Sequence, residues 1–305
     1  MRVAVVDLGT NSTRLLVADV TGGRVEEVDR RTNVTRLGEG VDSTGRLADA
    51  ATERVFAVVA AYREAIDALG AERTVAVATS AVRDSANGEE FRAALLDRHG
   101  IDARTISGDE EARLTFLGAT SARPPGARSV VIDIGGGSTE FVVGHAAGAP
   151  EFHVSTQAGS VRQTERHLPS DPPPPDEVTA LRDEVRAIVE AAVPVDVRAS
   201  VEAGIAVAGT ATQLAAIDQG LDPYDPDRVD GYALTLEACE RMLSELAALP
   251  LAERREVPGL HPDRAPTIVA GAAILTEAMK AFDVKAVEVS EADILHGAAL
   301  AAVSG

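Results

Sequence analysis

A chain of 305 residues is long enough for about two domains that each bury a core, and 45% hydrophobic content with 3% aromatic residues predicts interiors filled by Val, Leu, Ile and Ala. A formal net charge of −19, with lysine only at Lys280 and Lys285, lacks the basic surplus that nucleic-acid binding requires, so no nucleic-acid partner is expected. The first residues lack a leader's apolar stretch, the longest apolar runs fall well short of a membrane span, and the single cysteine, Cys239, permits no intrachain disulfide. These features predict a cytoplasmic protein with no membrane partner and a small buried thiol on a helix.

The chain opens on an apolar strand, 2–7, that ends in Asp7 and runs into the turn Gly9-Thr-Asn11-Ser12-Thr13. Arg14 to Val20, RLLVADV, is short, apolar and β-rich, so the turn reads as a hairpin tip. P-loop and Rossmann turns lead directly into a helix, and the P-loop needs a Lys that is missing here, so both readings are rejected. Strands are expected at 24–30 and 74–79, with a long amphipathic helix from about 46 to 69 and another at 88–99. Ser107-Gly-Asp-Glu-Glu-Ala-Arg113 starts the next helix. Ser107 and Glu110 have capping-box spacing, which assigns Glu110 to the Ser107 amide. Glu111, about 100° further round the helix, is the better candidate for a free carboxylate, although acidic residues also gather in first turns for dipole reasons alone. The turn-rich Ala122-Arg-Pro-Pro-Gly126 closes this half and gives domains 1–123 and 128–305, with the terminal helix 292–303 able to pack back on the first.

The second half repeats the opening. Ser129 to Thr139, SVVIDIGGGST, restates Val3 to Thr13, VAVVDLGTNST, and Glu140 to Val143 continues it as a second hairpin, 129–143. Each copy sets a carboxylate at a strand end beside backbone amides able to face an anion, and two such loops facing each other would form a phosphate and metal cleft. A strand near 151–156 follows, then the stiff loop Ser170 to Pro175 and a helix, Asp176 to Ala192. A strand and glycine turn, Gly204 to Gly209, run into a helix whose cap is expected at Thr210. Helices at about 235–249, 265–281 and 292–303 bracket a strand at 284–290, and those at 235–281 offer either core packing or a homodimer surface. The six histidines show no metal-type clustering. A polyanionic substrate would have to be met by arginines and a bound metal against the chain's own negative field.

The set DLGTNS, ATSAVR (Ala78 to Arg83), SGDEEARL (Ser107 to Leu114), DIGGGSTE (Asp133 to Glu140), GSVRQTER (Gly159 to Arg166) and AGTATQLAA (Ala208 to Ala216) resembles the exopolyphosphatase and guanosine pentaphosphate phosphatase (Ppx/GppA) family, in family order and over nearly the whole chain. The resemblance implies an α/β protein of two ribonuclease-H-like domains, of the superfamily of actin, heat-shock chaperones and sugar kinases, with an interdomain cleft. The length suits a short member without the family's C-terminal helical module. The resemblance further implies Glu111 as general base, Asp133 and Glu140 as carboxylates organising Mg²⁺, and phosphate contacts from Gly135, Gly136, Gly137 and Ser138. Asp7, Gly9, Asn11 and Ser12 would contribute from the first loop. Arg83 is similar to a phosphate-binding arginine, and Arg162 is placed with it, its alternative being simple solvation. Gly209 and Thr210 correspond to an adenosine loop in nucleotide-binding relatives, or else Gly209 only permits close strand-to-helix packing. Near Arg264-Ala-Pro many members carry Arg-Ala-Asp, which leaves Arg264 without an assigned role. Inorganic polyphosphate is the expected substrate; the alternatives are guanosine pentaphosphate, an actin-like ATP-binding regulatory or filament protein, and a phosphate-chain sensor.

Overall fold

A computed structural model describes residues 1–124, 126–146 and 148–304; the expected boundary turn 122–126 includes Pro125, which lies outside the described residues. The chain forms two units, Met1–Ala122 together with the segment from Ala292 onward, and Arg123–Glu291.

In the first unit β1 (Arg2–Leu8), β2 (Ser12–Thr21), β3 (Arg24–Val34), β4 (Arg73–Ala78) and β5 (Ala103–Thr105) form one sheet in the order β3-β2-β1-β4-β5. β1 is antiparallel to β2 and parallel to β4. Because both faces of β1 are covered, it is apolar at nearly every position rather than alternating. Ala4, Val6 and Leu8 pack with Val55, Phe56 and Val59 of the helix Asp49–Leu69. Val3 and Val5 pack with Leu114 of the helix Gly108–Thr120 and with Leu295 and Ala299 of the helix Ile294–Ser304. That last contact is why the segment from Ala292 belongs to the first unit. The edge strand β3 carries Arg24, Glu26, Glu27, Asp29, Arg30 and Arg31, charges that discourage pairing with another chain.

The second unit repeats the topology with one extra edge strand. Its strands β6 (Arg128–Ile134), β7 (Thr139–His145), β8 (Phe152–Thr156), β9 (Ala203–Val207), β10 (Ala233–Thr235) and β11 (Ala286–Val289) lie in the order β10-β11-β9-β6-β7-β8. Helix Ile268–Ala281 is buried from Ile268 through Met279, so this part of the stretch considered as a dimer surface is interior. Cys239 lies on Leu236–Ala248, 3.9 Å from the Met279 sulfur, and burial pushes its thiol up to about 12. Thr210 is not a cap: the helix starts at Ala208, its cap position is Val207, and Thr210 sits buried in the first turn against Gly271. No helix among the described residues is long and apolar enough to cross a membrane.

Helices Gly108–Thr120 and Ile294–Ser304 approach so closely that only glycine fits at two points. A Cβ on Gly118 would lie 1.9 Å from the Asp293 carbonyl oxygen, and one on Gly297 1.8 Å from that of Leu114. Gly297→Ala is therefore expected to lower stability by about 1–3 kcal/mol through overpacking, read as a lower urea midpoint at unchanged slope.

Candidate active site

The two glycine turns close in the same way. The Gly9 amide donates to the Ser12 carbonyl at 3.0 Å, and the Gly135 amide to the Ser138 carbonyl at 3.0 Å. In each turn the remaining carbonyls are drawn away onto neighbouring chain. Asn11 O accepts from the amides of Thr35 (3.1 Å) and Arg36 (2.9 Å), and Thr10 O from Gly38 (2.8 Å). Gly136 O accepts from the amides of Val161 (2.8 Å) and Arg162 (3.1 Å), and Gly135 O from Ser160 (2.9 Å). No acceptor among the described residues takes the amides of Thr10 and Asn11, or of Gly136 and Gly137. Successive amides left without acceptors are the means by which a tight turn receives an anion. The side chains of Thr10 and Ser80, the latter in the helix Ser80–Arg83, share a buried hydrogen bond of 2.8 Å that steadies the first turn.

Cross-strand register makes the two loops chemically different. Asp133 on β6 stands opposite Glu140 on β7, whereas Asp7 on β1 stands opposite Arg14 on β2. Two buried carboxylates placed directly opposite on one face are unfavourable unless a cation lies near them. Ser155 Oγ donates to Glu140 Oε1 at 2.6 Å and orients it. No group of three or more His, Cys, Asp or Glu able to hold a metal occurs among the described residues. The donors of this pair are hard oxygens, the type Mg²⁺ takes.

In the first loop Arg14 Nε and Nη2 reach Asp7 Oδ2 at 2.9 and 2.7 Å, and Arg14 Nη1 pairs with Asp293. Asp7 Oδ1 is buried and has no partner among the described residues. An acceptor without a donor cannot bind phosphate directly, but it can face a metal ion or a coordinated water, so it too fits Mg²⁺. Burial raises the Asp7 carboxyl above its usual range, with Arg14 opposing and Asp293 adding to the rise. Burial also raises Asp293, but Arg14, Arg30 and His296 outweigh it and hold that carboxyl low.

Glu111 and Arg83, distant in sequence, come together. Arg83 Nη1 donates to Glu111 Oε2 at 3.1 Å and to the Ile106 carbonyl at 3.0 Å. Glu111 lies in the first turn of Gly108–Thr120, 8% exposed. Ser107 accepts from the Glu110 amide at 3.1 Å as expected, yet the Glu110 carboxylate engages Arg104 at 2.5 Å rather than the Ser107 amide. Arg104, in the middle of β5, competes successfully with a neutral amide because the ion pair is charge-assisted.

Arg162 uses its Nε on the Gly137 carbonyl at 2.8 Å, holding the second turn from behind. Gly209 meets Arg264: a Cβ there would lie 2.1 Å from Arg264 Nη1, so the missing side chain makes room for the guanidinium. Sequence reasoning passed over Thr10, Arg14, Gly159 and Asp293. The repeat itself aligns Arg14 with Glu140 and could have exposed it.

A family model described as the Ppx/GppA phosphatase family matches residues 16–303. The chain belongs to that family. Exopolyphosphatase 2 of Mycobacterium tuberculosis is 39% identical, with 98% of each chain covered. Exopolyphosphatase 1 of Mycobacterium bovis is 31% identical over 95% of this chain and 84% of its own. Among solved structures, an exopolyphosphatase-like protein superposes with a TM-score of 0.92 at 34% identity, covering 99% of this chain and 97% of that one. The Aquifex aeolicus Ppx/GppA family member gives 0.83 at 30%, covering 100% and 98%. This Ppx/GppA chain is thus matched along both units, each an α/β domain of the actin-like type.

Gly159 backs the second turn so tightly that a Cβ would lie 2.2 Å from the Gly137 carbonyl carbon and 2.3 Å from the Gly136 oxygen. Neither atom can swing aside as a side chain would. Gly159→Ala is expected to displace the turn and weaken tripolyphosphate binding by roughly tenfold or more, about 1.4 kcal/mol, measured by calorimetry; unchanged affinity would count against the turn as the anion site.

Proposed function

We propose that this chain is an exopolyphosphatase that hydrolyses the terminal phosphoanhydride of inorganic polyphosphate and releases orthophosphate. The observation that carries the reading is the buried Glu111 carboxylate held by Arg83, together with the like-built turn that each unit carries, whose tip amides have no acceptor among the described residues. Membership of the Ppx/GppA family and relatives named exopolyphosphatase along the whole chain support it.

In this reading Glu111 accepts a proton from the water that attacks the terminal phosphorus, and the electron pair of the broken anhydride bond leaves with the oxygen of the shortened chain. Arg83 fixes the Glu111 carboxylate, and in this reading its remaining donors go to phosphate oxygens. Gly136, Gly137 and Ser138 offer donors to phosphate, as do Thr10, Asn11 and Ser12 from the first turn; Gly9 and Gly135, expected at phosphate, instead spend their amides on the Ser12 and Ser138 carbonyls that close the turns. Asp133 and Glu140 would hold Mg²⁺, which neutralises charge on the phosphates when bound. Asp7, expected at phosphate, is better suited to a coordinated water through Oδ1. Arg162 acts by holding Gly137 in place, and Thr210 packs against Gly271 rather than serving the substrate.

Glu111→Gln keeps the shape and the Arg83 contact but removes the base. Its kcat is expected to fall roughly 10²- to 10⁴-fold with KM little changed; near wild-type turnover would refute the assignment of the base. Substrate class is tested by orthophosphate release from short polyphosphate, long polyphosphate, guanosine pentaphosphate and ATP, each with and without Mg²⁺. Polyphosphate is expected to give the highest kcat/KM and to require the metal. A higher value for guanosine pentaphosphate would move the assignment to the family's other activity.

A further inference from the structure

We infer that Asp293 is a positioning residue for the reaction: from the start of the C-terminal helix it holds Arg14, and through Arg14 it fixes the Asp7 carboxylate at the first phosphate turn. The inference rests on the phosphatase reading above. Asp7 is 3% exposed and Asp293 1%, and one guanidinium lies between them. Both Arg14 contacts to Asp7 fall on Oδ2, so Oδ1 has no partner among the described residues.

A part-buried arginine with one carboxylate could settle in several rotamers. A second carboxylate behind it removes that freedom, because each acid takes a different edge of the planar fork. Asp293 is itself immobile. Its Oδ1 accepts from the Leu295 amide at 3.0 Å, its amide donates to His296 Nδ1 at 3.4 Å, and its carbonyl lies under Gly118. His296 is braced in turn by Glu27 on β3, Nε2 to Oε1 at 3.0 Å. Two carboxylates thus share one guanidinium, and Asp7 Oδ1, buried and without a donor among the described residues, is the point at the turn where a cation or its water shell would complete the network. The long sequence separation of Asp293 from Arg14 makes the C-terminal helix part of the active-site frame, not only a cover for the sheet.

The test uses the full chain with Asp293→Asn, Asp293→Glu, Arg14→Gln and the double variant Arg14→Gln/Asp293→Asn. Asp293→Asn keeps the Leu295 bond but loses the ion pair. It is expected to lower kcat on polyphosphate roughly 10- to 100-fold and to raise the half-saturating Mg²⁺ concentration, with KM for polyphosphate within about twofold. Asp293→Glu should recover part of kcat. The double variant should match Arg14→Gln alone, since Asp293 acts through Arg14. A second readout avoids turnover: in the Glu111→Gln background, Mg²⁺ with tripolyphosphate should raise Tm less when Asp293 is Asn. If Asp293→Asn lowers Tm, Asp293→Glu, which keeps a carboxylate for Arg14, should regain part of both Tm and kcat. Wild-type kcat and Mg²⁺ dependence in Asp293→Asn, additive effects in the double variant, or an Asp293→Glu variant that regains Tm while kcat stays at the Asp293→Asn level would each overturn the inference. An inert wild-type enzyme on polyphosphate would instead defeat the functional reading, and the Mg²⁺-dependent rise in Tm would still report on Asp293.

Discussion

The structure depends on where the backbone carbonyls of two glycine turns point. A turn of four residues has as many acceptors as donors, and a turn that kept both exposed would have no preference for an anion. Here the segment Thr35 to Gly38 collects the carbonyls of the first turn, and Ser160 to Arg162 collects those of the second. What remains at each tip is a run of donors. The sheets supply the rigidity: each turn joins the two central antiparallel strands of a sheet covered on both faces, so it cannot relax without disturbing a buried core.

One duplicated hairpin thereby serves two purposes. At the second loop Asp133 faces Glu140; at the first, the residue in Glu140's register is Arg14, which ties down Asp7. Exchange of a glutamate for an arginine at one register position separates a loop with two facing carboxylates from a loop whose acid is held by an internal ion pair. The C-terminal helix contributes to the second arrangement by delivering Asp293 to Arg14.

Much of this was legible in the sequence because it is local. The hairpins followed from β-rich runs on both sides of the turns, the long helices from periodicity, and Glu111 from its place just beyond the capping residue. The resemblance to known phosphatases assigned roles that local pattern could not. What escaped depends on tertiary neighbours. Asp293 lies far from Arg14 in sequence, so no window contains both. Thr210 was mistaken for a cap because the apolar run through Val207 gives no sign that Ala208, at φ 64°, turns the chain in the left-handed region and begins the helix early. The Glu110 carboxylate follows Arg104 instead of the Ser107 amide, a choice set by charge and visible only once β5 lies beside the helix. The role of Gly209 is set by Arg264, which reaches it from another part of the chain.

The central claim is that both turns receive anionic phosphate through their backbone amides. The direct measurement is a titration of isotope-labelled Glu111→Gln protein with tripolyphosphate and Mg²⁺, following the amide resonances of Thr10, Asn11, Gly136 and Gly137 by nuclear magnetic resonance. The account predicts saturable shifts at all four, moving along a single binding curve. Shifts confined to one turn, or to neither while tripolyphosphate still binds elsewhere, would contradict it.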